Sequence, residues 1–272
     1  MKDSEQRNIW YSKDLEQKKN WYSAAADAYN KTRPRYPKNL IHRVVELAQL
    51  PTEAKILELG CGPGTATVAF AELGFSMLCL EPSQASCQLA RQNCANYPTI
   101  QIQNTTFEEW DLEAKKFDAV LAATSIHWIS PEVRYAKAAE ALQDNASLIL
   151  LWNTQLQPEY EVYQVLDEVY KRHAPSLALY ESRETQAENL RSFGQSMVDS
   201  GRFKDLVSEQ LVCEVTYSVD DYLALLSTYS PYIELEPQSK DALFKGLREK
   251  IQNFGGNIQL SYLSIFQVAR KK

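Results

Sequence analysis

With 272 residues, 44% of them hydrophobic and 24% charged, the chain is long enough for one large domain or one domain with an elaboration. Its formal net charge of −6 at pH 7 argues against a broad basic face for a nucleic-acid backbone, though a small charged ligand remains compatible with a local patch. No apolar run approaches the ~20 residues that span a bilayer, and the polar N-terminus has no apolar signal core, so a cytoplasmic protein without a membrane partner is expected.

Residues 1–24 are polar but carry Trp10, Tyr11, Trp21 and Tyr22, aromatics expected to fold back on the body. Pro37 opens a helix in which Leu40, Ile41, Val44, Val45 and Ala48 recur at helical spacing, and Pro51 ends it. Short apolar runs then alternate with helical patterns, the signature of a doubly wound parallel sheet. Strands are predicted at 55–59, 76–81, 99–103, 117–123 and 146–152, with helices at about 64–73, 83–95 and 132–142. Ser83 is placed as an N-cap.

Beyond Asn153 the pattern changes. Residues 154–200 read as helical, punctuated by Pro158 and Pro175; a strand follows at 206–217, helices at 219–228 and 239–254, and a last strand at 258–268. The expected organisation is an N-terminal arm over 1–36, a core over 37–153, and a remainder over 154–272 that completes the same unit. The five cysteines form no C-x-x-C pair, which points to reduced thiols and to no metal site.

The densest chemistry lies in Lys55–Gly64, an apolar strand running into Gly60, Gly62 and Gly64, followed by a second strand that ends on Glu81. Glycine lets the backbone turn sharply and approach a ligand, and a carboxylate at the next strand's tip is placed to accept from both hydroxyls of a ribose. Two cofactors compete. The dinucleotide loop is G-x-G-x-x-G, whereas this spacing is G-x-G-x-G, with Thr65 where the third small residue belongs. Pro63 removes a backbone donor that a pyrophosphate would use. Glu58 would repel a pyrophosphate and attract an amino group, so the loop suits a cofactor with an ammonium and a sulfonium.

The E-L-G-C-G-P-G run together with Glu81 resembles the first two motifs of class I S-adenosylmethionine (SAM) dependent methyltransferases. Phe117–Ala123 is similar to the family's fourth-motif strand, and Phe107–Trp110 to the segment over the adenine, so the resemblance covers roughly 37–153. It implies an α/β, Rossmann-like seven-stranded sheet whose N-terminal arm and helical insertions form a lid. In that family the last two strands form an antiparallel hairpin; here an insert of about 35 residues would separate them, longer than an ordinary connection.

The resemblance places Gly60, Cys61, Gly62 and Gly64 around the methionine and ribose, Glu58 near the amino group, Glu81 and Pro82 at the ribose diol, and Ala123 at the end of strand four. Thr106 and Phe107 fall in the adenine segment, where a hydroxyl could accept from the adenine amine; Phe107 reads equally as core. Tyr29–Pro37 is similar to a Y-x-x-x-R-P-x-Y-P segment of methyltransferases of the trans-aconitate type. There Arg33 would pair with a carboxylate of SAM or of the substrate, the alternative being an exposed arginine. His127 is the histidine nearest the expected site and is either a general base or a structural residue; Trp128 is expected beside the sulfonium.

The implied activity is methyl transfer from SAM to a small molecule, the trans-aconitate likeness pointing to a carboxylic acid, by a monomer or homodimer. A SAM-binding protein without turnover and a NAD-type oxidoreductase are the alternatives. A nucleic-acid methyltransferase is opposed by the acidic balance and by the lack of an Asn-Pro-Pro-Tyr type motif after strand four.

Overall fold

The computed structural model describes residues 15–272, with side chains from residue 23 onward; the expected placement of Trp10, Tyr11, Trp21 and Tyr22 lies outside what is described. In chain order the elements are α1 (Leu15–Thr32), α2 (Lys38–Leu47), β1 (Lys55–Leu59), α3 (Thr65–Ala71), β2 (Ser76–Leu80), α4 (Gln84–Asn93), β3 (Ile100–Gln103) and β4 (Phe117–Ala123). Then come a 3-10 turn (Ile126–Trp128), α5 (Pro131–Ala141), β5 (Leu142–Asn153), α6 (Tyr160–His173) and α7 (Arg183–Asp199). The chain closes with β6 (Phe203–Ser218), α8 (Val219–Leu226), α9 (Ser230–Ile233), α10 (Pro237–Gln252) and β7 (Asn257–Lys271).

All seven strands join one sheet in the order β3-β2-β1-β4-β5-β7-β6. The pairs among β1 to β5 are parallel, whereas β7 lies antiparallel between β5 and β6. Strand order reverses between β1 and β4, the crevice where open α/β sheets take ligands. Alternation along each strand divides the core. Leu57, Leu59, Leu78 and Val120 pack on one face under α5 and α7; Ile56, Met77, Cys79 and Leu121 pack on the other under α2, α3 and α4. With both faces covered the central strands are apolar throughout, as expected of a parallel sheet.

The expected helical stretch 154–200 resolves into α6 and α7, separated by the turn that Pro175 opens. Proline cannot donate to a continuing helix, and α6 ends at His173, just before it. β5 begins earlier than residue 146: its register with β4 shifts between Phe117 and Ala119, and Asn145 adopts a positive φ of 65° where the extra residues are absorbed. The excursion between β6 and β7 carries α8, α9 and α10, which pack with α6 in a third apolar cluster around Leu166, Leu225, Leu243 and Leu247. None of the described helices is long and apolar enough to cross a membrane.

Candidate active site

The loop after β1 is tied to β2 by two hydrogen bonds, since the Gly60 and Cys61 amides donate to the Leu80 carbonyl at 2.8 and 3.1 Å. Gly60 has φ +67°, and a Cβ there would stand 2.9 Å from that of Ser125, so both sterics and backbone demand glycine. Gly62 has φ +55°, and no protein atom lies within 4 Å of where its Cβ would be; that space belongs to the cleft.

Glu81 follows β2 and is 7% exposed. Its Oε2 accepts the Gly62 amide at 2.9 Å and its Oε1 the Ser83 amide at 2.8 Å, so the carboxylate is fixed against the glycine loop. Burial pushes its pKa up, while the two amides pull it back toward the ionised form. Ser83 also caps α4, accepting from the Ser86 amide.

A cleft opens over these residues, enclosing about 1360 Å³ with its mouth included. It gathers Arg33, Gly60, Cys61, Gly62, Glu81, Pro82, Thr106, Phe107 and Ala123. Arg33 follows α1 and is held by the loop after α8: its Nε donates to Thr228 Oγ1 at 2.8 Å and its Nη2 to the Thr228 carbonyl at 3.1 Å. The guanidinium lies 3.9 Å from the ring centroid of Tyr229 and 4.9 Å from that of Tyr29. Tyr36 hydrogen bonds through its hydroxyl to Thr124 Oγ1 at 2.9 Å, tying the same segment to the end of β4, and its burial raises its pKa.

Residues 56–145 match the family described as a methyltransferase domain. That stretch is a methyltransferase domain. An uncharacterized methyltransferase of Mycobacterium tuberculosis is 32% identical over 133 residues, 48% of this chain and 51% of that protein. The chain thus spans about half the length of the first curated relatives it matches. Among solved structures, a candidate type II methyltransferase of Anaeromyxobacter dehalogenans superposes with a TM-score of 0.64 at 21% identity, covering 88% of this chain and 97% of the other. Haemonchus contortus phosphoethanolamine N-methyltransferase 2, solved with SAM, gives a TM-score of 0.52 at 16% identity, covering 92% and 57%. At these identities the structural likeness is one of fold.

Three expected site residues of the methyltransferase domain lie elsewhere than in the cleft wall. Glu58 shares strand parity with Ile56 and therefore points to the α2–α3 face; it is fully buried, accepting from Thr67 Oγ1 at 2.6 Å and from the Cys79 thiol at 3.6 Å. Its Oε1 has no partner, and burial pushes its pKa up to about 7. The contact expected between Glu58 and a cofactor amino group is corrected accordingly, and the repulsion argument against a pyrophosphate loses that leg. Gly64 is the left-handed N-cap of α3, φ +85°, and a Cβ there would meet Cys94 and Ala90 of the α4 region, so it serves packing. His127 packs its ring against Trp128, Trp152 and Phe193, with centroids 4.8, 5.7 and 6.3 Å away, while Trp128 and Ile129 face the cleft. The general-base reading of His127 has no geometric support.

Thr106 lines the methyltransferase cleft, but its hydroxyl is committed to Glu109, accepting from the amide and donating to Oε2, both at 3.1 Å. It shapes the turn with its donor and one of its two acceptor lone pairs, which leaves the second lone pair for another donor. Phe107 bears out the core reading, stacking on Trp110, and also lines the cleft. Cys61 is a wall residue whose thiol is held well above its ordinary pKa, first by its hydrogen bond with Cys79 and then by burial, so it is no nucleophile.

Sequence reasoning did not single out Thr124, Asn153 or the Thr228–Tyr229 pair, and it held Tyr29 only as the first residue of the Tyr29–Pro37 segment. Asn153 donates to the Pro34 carbonyl at 3.0 Å and so anchors the Arg33–Tyr36 segment to the end of β5. A usable signal existed for Thr124, which directly follows a strand whose carboxyl end must face the ligand. For Thr228, 195 residues from Arg33, there was none.

Proposed function

We propose that this chain transfers the methyl group of SAM to a small-molecule acceptor that carries a carboxylate. The observation that carries the cofactor assignment is Glu81, a buried carboxylate at a strand end, facing the cleft across a glycine whose missing Cβ leaves room for a ligand. Ribose hydroxyls would donate to its oxygens, and the base would then extend past β2 toward the loop after β3, where Thr105, Thr106 and Phe107 form the wall. Pro63 and the G-x-G-x-G spacing disfavour a dinucleotide at the same place.

The acceptor assignment rests on Arg33. Its guanidinium reaches the cleft wall already oriented by Thr228 and Tyr229, so little freedom is lost when it pairs with a carboxylate. Bound SAM supplies a methyl group activated by a sulfonium. The acceptor oxygen forms the new bond to the methyl carbon while the carbon–sulfur electron pair stays on sulfur. A carboxylate acceptor needs no base, which agrees with the absence of His127 from the cleft wall. The chain's own tasks are alignment and exclusion of water, served by Tyr29, Tyr36, Trp128, Ile129 and Leu156 around the cleft.

Incubation with methyl-labelled SAM and a panel of carboxylates, phenols and amines tests this reading. Label is expected in base-labile esters of carboxylates, with Arg33→Ala raising the KM for the acid or the Kd for SAM. Label confined to amines would refute the carboxylate assignment. SAM binding with no label in any acceptor would point to the binding protein without turnover.

A further inference from the structure

We propose that Lys137 of α5 is a positioning residue for the base end of the cofactor site; the inference rests on the methyltransferase reading above. A lysine on a surface helix ordinarily extends its ammonium into water. Lys137 is half-buried, and its Nζ donates to three backbone carbonyls of one turn: Phe107 at 2.7 Å, Glu108 at 3.0 Å and Trp110 at 2.5 Å. An ammonium has three donors and no acceptor, so this set uses its whole capacity.

The turn is thereby held at both ends. On its amino side the Thr106 hydroxyl accepts the Glu109 amide, and the Thr106 carbonyl accepts the Trp110 amide at 3.0 Å. On its carboxyl side three carbonyl oxygens converge, an arrangement that favours a cation as the end of a helix does. Nζ also lies 5.3 Å from the Phe107 ring centroid and 5.7 Å from that of Trp110, two rings stacked 6.1 Å apart at 18°. Trp110 is core; Phe107 is both core and cleft wall. Lys137 itself does not line the cleft, so its action is on the wall that Thr106 and Phe107 present, beyond the ribose carboxylate Glu81. Loss of the ammonium leaves three oxygens without their donor and frees the turn to rotate Phe107 away from the base.

The test is calorimetric titration of SAM, S-adenosylhomocysteine and 5′-deoxyadenosine into wild type, Lys137→Met and Lys137→Arg, each well below its Tm. Lys137→Met is expected to weaken all three ligands by a common factor of about tenfold, because all share the adenosine end. Lys137→Arg, which keeps charged donors, is expected to recover part of that loss. A purely structural role would lower Tm and leave the three affinities of the folded protein within twofold of wild type, which would overturn the proposal. Loss for SAM alone, with 5′-deoxyadenosine unaffected, would also overturn it. If Lys137→Met does not fold, Lys137→Gln, which removes the charge and one donor, takes its place, and affinities for all three ligands within twofold of wild type would refute the proposal. Failure of wild type to bind SAM would refute the methyltransferase reading itself, and this inference with it.

Discussion

Glu58 and Glu81 are both buried carboxylates with raised pKa values, yet only Glu81 faces the cleft. For Glu58 the folded value of about 7 lies above its ordinary 4.5, so between those pH values the native state binds a proton that the unfolded state has lost. Stability contributed by Glu58 is therefore complete at low pH and falls as pH rises through that window, on the order of 3 kcal/mol in total. Urea unfolding at pH 5 to 8 should show this decline, and Glu58→Gln should flatten it; parallel profiles for the two proteins would contradict the assignment. Glu58 was legible as an acidic residue beside the loop, but its destination was not. A shift of one position along a strand exchanges the two faces of the sheet, and parity with Ile56 decided the matter. Phe107 was read both ways because a wall residue with a core-facing neighbour satisfies both patterns.

At the scale of elements, the arm is the piece that links the α4 region to the end of β6 and the excursion that follows it. From α1, Ser23 hydrogen bonds to Ser83 at 2.9 Å and Asn30 Oδ1 accepts from Asn93 at 2.9 Å, both in the α4 region. On the other side Arg33 engages Thr228, and the Tyr217 hydroxyl donates to the Thr32 carbonyl. The exposed Lys31–Asp221 pair at 2.6 Å adds little. Thr228→Val removes one acceptor of a charged donor and should weaken the clasp by about 1.5–3 kcal/mol. Hydrogen exchange at the Arg33 amide, which donates to the Tyr29 carbonyl at 3.0 Å, should accelerate in that variant and slow when SAM is added; no change in either case would dissociate the arm from the site. Strands with a strong apolar signal, 55–59 and 117–123, matched their observed bounds. β6 runs past its predicted ends because Phe203–Asp205 and Ser218 pair with β7 or bulge against it, and long-range pairing has no local signature. The clasp was hidden for the same reason.

Across the whole molecule, a single sheet sets the residues of the cleft wall at the carboxyl ends of β1, β2 and β4, while the excursion between β6 and β7 brings Thr228 and Tyr229 against Arg33. The α/β order was readable from alternation and motif, and the antiparallel closing strands from the family resemblance; the contact of Thr228 and Tyr229 with Arg33 was not, since helix amphipathicity shows which face is buried and not against what. SAM at a hundred times its Kd should stabilise the chain by about 2.7 kcal/mol, visible as a higher Tm, whereas NAD should leave Tm unchanged. The most direct measurement of the central claim is calorimetric titration of SAM into wild type and Glu81→Ala. Saturable binding by wild type and a Kd at least tenfold higher in the variant, about 1.4 kcal/mol, is the predicted result. Equal affinity in the two folded proteins, or no binding by wild type, would contradict it.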